Sequence, residues 1–530
     1  MPIRMVDDPQ DQNEFNDNNS GAGGRGGSGG GGGGGLFALI PFLFRLLGTK
    51  FGLIVLVLGA AAYFFLGRSG CSGGTIANNI SQFALGGTLD KEQFAKANVY
   101  EGLADDNTKN PLPEYVSLAK FAPERKNQGR QGSCVAWSSA YGAQTILESA
   151  ARGSNPNQTA FSPSYMYNQI GMDGCQGSYI IRAMELMKGK GGVPFNAFPY
   201  DDHDCSNSPP TTLDAMAAQN RIHGFNRLTQ SEDPEGINIR AVKEHLAKDA
   251  PVVIGMMVGG SFMEGMMGQK LWQPDEQDQS QQGFGGHAMC VIGYDDRLAG
   301  GAFQIMNSWG PEWGENGLAW VRYADFQNFV REAYGIDPLP KEGAALNTPF
   351  DCEIGLMQVD DHAKPTNYIP LQSTGANTFS SSLVSKGIRF KVEVKNSTEC
   401  YVYVFGRETD GSSYTLFPYP SASDPTKTAY SPYCGITGYR LFPKNKSMTP
   451  DSIGTKDYMA VVVSKNELDW YKLNQTISQT KTSYAAALST ALASAGASRI
   501  TVNSTGKGNM HFTAPAGTNG LAYAIVEINK

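Results

Sequence analysis

The chain has 530 residues, eight of them cysteine, with a formal net charge of −7 and 18% charged side chains. That length leaves room for two or three domains, and the negative balance excludes nucleic acid as a general partner. Eight cysteines spread over such a length are too few for a disulfide scaffold. No CxxC pair and no HExxH helix occurs, so neither a metal nor a cofactor is expected.

Residues 1–35 are acidic and Asn-rich, then nearly pure glycine from Gly21 to Gly35, too poor in apolar side chains to fold; a disordered tail is expected. Residues 36–67 form an interfacial and transmembrane segment. The run 36–47 is apolar but broken by Pro41 and Arg45, and 51–67 follows without a charge between Lys50 and Arg68. Seventeen apolar residues reach the short end of the range for a transmembrane helix. Arg45 and Lys50 precede it, and beyond Arg68 the next basic residue is Lys91, a bias that places the N-terminus in the cytoplasm and everything downstream in the periplasm or outside the cell. A signal peptide cleaved near Ala60-Ala61-Ala62 is the alternative, with an unusually long leader. Residues 68–111 mix polar and apolar side chains and read as a linker or a short propeptide.

The chemistry begins at Cys134. Val135, Ala136, Trp137, Ala140, Tyr141, Ile146 and Leu147 follow it at helical spacing, and Arg152-Gly153 is a stop signal. The spacing predicts a buried helix of four to five turns whose positive end carries the thiol and favours its thiolate. Gln128, six residues upstream, offers a side-chain N–H that with the Cys134 backbone N–H suits a tetrahedral oxyanion. Downstream, His287 opens the core strand 287–294 after the flexible approach Gly283-Phe284-Gly285-Gly286, where a substrate backbone can come close. Asn307 ends a second apolar strand, 302–306, and its amide can hold one imidazole nitrogen so that the other faces the thiol. Trp309 would shield that bond from water. Nucleophile, base, orienter and oxyanion donor therefore occur in workable chain order.

With these residues in hand the chain resembles the papain family of cysteine peptidases. The resemblance begins at Leu112-Pro113-Glu114-Tyr115-Val116, which is similar to the family's first mature strand. It runs through Gln128 to Cys134, Phe161-Ser162-Pro163, Gly174-Cys175-Gln176-Gly177 and Phe198-Pro199-Tyr200, and closes on Asn307-Ser308-Trp309-Gly310 and the residues to Gly317. It implies Cys134 as nucleophile, His287 as acid/base, Asn307 as orienter and Gln128 as oxyanion donor, with Gly177, Ser178, Gly286 and Trp309 against substrate. Val135 stands where the family has an aromatic, Ser178 replaces a glycine, and Gln131 replaces a cysteine, so the usual disulfide to Cys175 is lost. Cys175 with Cys205 is then the expected pair, and Cys400 with Cys434 a second in an oxidising compartment. Cys290, at an odd offset from His287 on the strand, is expected to be a buried free thiol.

The implied fold is α+β: a papain-like two-lobed peptidase at 112–340, a helical lobe carrying Cys134 and a β-barrel lobe carrying His287 and Asn307. The implied activity is endopeptidase cleavage of a peptide or protein, anchored to a membrane through one helix. A peptide-binding homologue without activity and an acyl transferase using the same residues are the alternatives. After a linker at 341–376, residues 377–530 read as a mainly antiparallel β-sandwich. Strands are expected at 388–394, 401–405, 458–463 and 522–528, a hairpin at Asp410-Gly411 and an Ala-rich helix at 483–497. That region resembles an uncharacterised domain appended to bacterial peptidases; it carries no nucleophile–base pair, so binding of a protein partner or positioning is its expected role.

Overall fold

The run 287–294 is continuously apolar rather than alternating, as a strand covered on both faces must be. In the computed structural model, which describes residues 2–9, 84–341, 348–493, 495 and 500–530, that run lies in the strand Gly285–Asp295, with every residue from His287 to Tyr294 buried. It is central to an eight-stranded sheet, pairing antiparallel with Val252–Val258, Ala302–Met306 and Tyr115–Ser117. The sheet continues through Val330–Ile336 to Phe225–Arg227 on one side and through Leu318–Arg322 to Leu271–Trp272 on the other.

The helix carrying the thiol lies close to this strand: a Cβ added at Gly142 would stand 3.2 Å from the Cys290 Cβ. It starts at Cys134 and ends at Arg152, where Gly153 turns left-handed (φ 65°) and donates its N–H to the Ser149 carbonyl. One difference from expectation is the π-helical stretch Trp137–Gln144 in its middle. There the Thr145 hydroxyl donates to the Ala140 carbonyl five residues back, a contact suited to the wider turn. With Pro163–Ile170 and Ile180–Gly189 this helix forms the helical lobe.

The second domain begins earlier than the sequence suggested. Phe350–Val359, inside the supposed linker 341–376, is the central strand of an eight-stranded sheet, flanked by Arg389–Asn396 and Met510–Ala514. Its alternation is masked by the run of four buried residues Ile354–Met357, which reads as neither strand nor helix. A seven-stranded sheet containing Cys400–Arg407, Lys456–Ser464 and Leu521–Asn529 faces it across an apolar core. Among the described residues the one parallel pairing in that sheet joins Thr378–Ser381 to Leu521–Asn529, so the sheets are mainly antiparallel, hairpin included. The helices Trp470–Gln479, unforeseen, and Tyr484–Ala493 cover the outer face of the second sheet.

Cys400 and Cys434 are Cα partners on adjacent strands, but they are free thiols rather than the expected disulfide. The Cys400 thiol interacts with both Cys352 and Cys434, so it has two candidate partners rather than one. Residues 3–7, assigned by composition to a disordered tail, form a strand on the edge of the first sheet. The glycine run, the apolar segments 36–47 and 51–67, and the linker as far as residue 83 lie outside the described residues. Among the described residues no helix is long and apolar enough to cross a membrane.

Residues 98–110 are built into both domains. Tyr100 donates its N–H to Arg227 of the sheet that carries His287, and Val99 to Ala429 of the sandwich. Ala104 donates to Tyr439, and the fully buried Arg440 donates from Nε to the Glu101 carbonyl. Glu101 itself is buried, and among the described residues neither carboxyl oxygen has a hydrogen-bond partner. Burial therefore raises its pKa to about 7, against the pull of Lys444, Lys391 and Arg440. The folded state thus binds a proton that the unfolded chain releases near its ordinary value of 4.5, so stability present below that value is lost as pH rises through 7. Glu101→Gln is expected to flatten the fall in denaturant midpoint between pH 5 and pH 8. A variant with the wild-type slope would assign that fall to another group.

Candidate active site

His287 stands near the start of its strand, and the amide of the next residue, Ala288, donates to the Cys134 sulfur at 3.4 Å. Thiol and imidazole are thereby brought to neighbouring positions from two lobes. Nε2 of His287 lies 2.7 Å from Oδ1 of Asn307, just beyond the strand Ala302–Met306. The amide oxygen accepts, so the proton sits on Nε2 and Nδ1 keeps its lone pair. That Nδ1 is buried and has no hydrogen-bond partner among the described residues. The Trp309 ring stacks on the imidazole with centroids 4.3 Å apart, covering the His287–Asn307 bond as expected.

Gln128 is fully buried, and its amide orientation is fixed by a residue that sequence reasoning missed. The Ser308 hydroxyl donates to Gln128 Oε1 at 2.6 Å, leaving Nε2 as the donor. The Ser308 carbonyl also accepts the Gln128 N–H. The signal was available: Ser308 lies between two residues already singled out, Asn307 and Trp309.

Nε2 of Gln128 already has an occupant. It donates to the Ala84 carbonyl at 3.1 Å, and Trp309 Nε1 donates to the same oxygen at 3.1 Å. From there residues 84–90 run across the site. Ser178 N–H donates to the Gly86 carbonyl, Thr88 N–H to the Ser178 carbonyl, and Gly87 N–H to the Gly286 carbonyl. Glycines on both sides allow this approach: a Cβ at Gly286 would stand 2.1 Å from the Gly87 oxygen, and one at Gly177 2.6 Å from the Gly86 oxygen. Leu89 follows, its side chain against Ile180 and the bare backbone of Gly255, while Asp90 N–H donates to the buried Glu332. All four positions singled out for substrate contact (Gly177, Ser178, Gly286 and Trp309) thus touch the chain's own residues 84–88.

Electrostatics follow from that cover. With water excluded, burial pushes the Cys134 thiol up to about 12 and the His287 imidazole down to about 4. Both are neutral in this state. Cys290 is buried and free, with burial pushing its thiol up, as its strand offset required. Cys175 and Cys205 are bridged, with Cα atoms 5.9 Å apart. The described residues offer one exposed trio with metal-ligand spacing, Asp201, Asp202 and His203.

Residues 112–336 match the family described as papain family cysteine protease. Mouse cathepsin K is 29% identical over 213 residues, 39% of this chain and 59% of that protein. Human cathepsin L2 is 26% identical over 254 residues, 46% of this chain and 68% of that protein. Among solved structures, the cysteine protease xylellain from Xylella fastidiosa superposes with a TM-score of 0.39 at 22% identity, covering 49% of this chain and 97% of that one. This chain thus spans 59% of the cathepsin K length, and more than half of its own length lies outside the match. Residues 112–336 are thus similar to papain-family cysteine proteases and lie within a longer chain.

Proposed function

We propose that this domain hydrolyses internal peptide bonds, with Cys134 as nucleophile and His287, oriented by Asn307, as its acid/base. The observation that carries the reading is the 2.7 Å His287–Asn307 bond, which leaves Nδ1 unpaired beside a thiol at a helix start. In the uncovered site Nδ1 takes the thiol proton, and the thiolate attacks the peptide carbonyl. Gln128 Nε2 and the Cys134 N–H receive the oxyanion. The imidazolium then protonates the leaving amine, and water releases the acyl-enzyme.

The backbone groups that hold residues 84–88, at Ser178 and Gly286, would hold an extended peptide in the same way. With residues 84–90 in place the enzyme is latent, because cleft and oxyanion donor are both engaged. The Cys175–Cys205 disulfide suits an oxidising compartment, and the apolar run 51–67 would hold the chain at a membrane. The sandwich is assigned to positioning or to binding a protein partner.

Gln128→Ala tests the mechanism. Removing one oxyanion donor is expected to lower kcat by about 10²–10³ with little change in KM, measured by steady-state hydrolysis of a peptide found by mass spectrometry of library digests. Asn307→Ala should cost less, since the imidazole keeps its chemistry and loses orientation. Wild-type kcat in the Gln128 variant would mean that another group holds the oxyanion.

A further inference from the structure

Residues 2–8 occupy a built slot on the second domain. Ile3–Asp7 pairs antiparallel with Lys446–Pro450 over five residues, Met5 opposite Met448. Ile3 is fully buried in the core between the two sheets, and its N–H donates to the Tyr414 hydroxyl. At the other end a carboxylate is recognised. The Lys391 ammonium, 3% exposed, donates to Asp8 Oδ2 at 2.6 Å and to the carbonyls of Pro443, Lys444 and Lys446. Ser447 Oγ donates to the other Asp8 oxygen at 2.5 Å. Three carbonyls satisfy the donors of a buried ammonium but not its charge; among the described residues Asp8 supplies the anion paired with it. Burial lowers the Lys391 pKa, and Asp8 is the first group that counters this.

The other end of the intervening segment is fixed as well, since residues 84–88 are hydrogen-bonded in the peptidase cleft. We infer that docking of residues 2–8 holds the N-terminal segment on the same side of the membrane as the peptidase. Residues 9 and 84 then lie on the same side of the membrane, in place of the single crossing expected from the charge bias. The membrane part of this inference rests on the tether proposed above; the docking itself does not.

Two measurements on the full chain in its native membrane separate the two. Arg4 and Thr449 are register partners outside the core. Arg4→Cys with Thr449→Cys is expected to form an intramolecular disulfide on mild oxidation, seen as a monomeric cross-linked species and mapped by peptide mass spectrometry. Cross-linking between chains, or none, overturns the docking whether or not the protein is bound to a membrane. Ser28→Cys and Leu383→Cys, the latter 70% exposed, are then labelled one at a time with a membrane-impermeant maleimide. Labelling of both from the same face is expected. Labelling from opposite faces of sealed vesicles overturns the shared sidedness. If all protein is recovered in the soluble fraction, the tether reading fails while the cross-link still decides the docking.

Discussion

Cys134→Ala is expected to lower kcat/KM on a peptide substrate by at least about 10⁴-fold, the scale seen when the nucleophile of such a constellation is removed. Nothing else in the described chain can take over. Cys175 and Cys205 are joined to each other, Cys290 is buried in the core strand, and Cys352, Cys400 and Cys434 are buried in the other domain. Only Cys134 combines a helix start, an adjoining imidazole whose acceptor nitrogen is unpaired, and a covering segment that can in principle leave. A thiol-directed epoxide should therefore label Cys134 alone among these residues once the cleft is open. Full turnover by the alanine variant would show that the bond is broken by another group.

The constellation was legible because each member sits at the end of a strongly patterned element. Cys134 precedes an apolar helical face, His287 opens an unbroken buried run, and Asn307 closes one. What escaped notice is held by backbone rather than by side-chain pattern. Residues 84–88 bind through amides and carbonyls that any sequence carries, and the only hint was Gly86-Gly87 lying upstream of a glycine-rich cleft. The same holds for residues 3–7, whose strand is set by pairing with Lys446–Pro450 and by one buried ion pair formed across more than 380 residues. Residues 98–110 looked like part of a linker or short propeptide because a strip clamped between two domains buries backbone and scattered side chains rather than one periodic face. For the sandwich, four strands and one helix were found by alternation and composition. Phe350–Val359 was lost because its alternation breaks off at the four buried residues Ile354–Met357.

Gly86→Ala is expected to open the cleft. Its backbone φ lies in the ordinary negative range, so the added methyl costs nothing by conformation alone. The cost is steric. A Cβ there would meet the Gly132 oxygen at 2.1 Å, its carbonyl carbon at 2.4 Å and its Cα at 2.6 Å, all backbone atoms of the loop just before Cys134. Neither side can yield without moving the segment off Ser178 or moving the loop that carries the nucleophile. Overpacking of this kind costs about 1–3 kcal/mol, and the lower entropy of an alanine in the displaced segment returns about 0.4–1 kcal/mol. The balance favours release by about 1–2 kcal/mol, which corresponds to a rise of about 5–30-fold in the open fraction. The measurement is the second-order rate of Cys134 alkylation by iodoacetamide, followed by mass spectrometry of the Cys134 peptide at fixed pH. Because Gly86 takes no part in the proposed chemistry, the kcat of fully opened enzyme should match that of the parent chain. Equal alkylation rates in parent and variant would mean that residues 84–88 do not limit access to the thiol, and the proposed latency would be wrong.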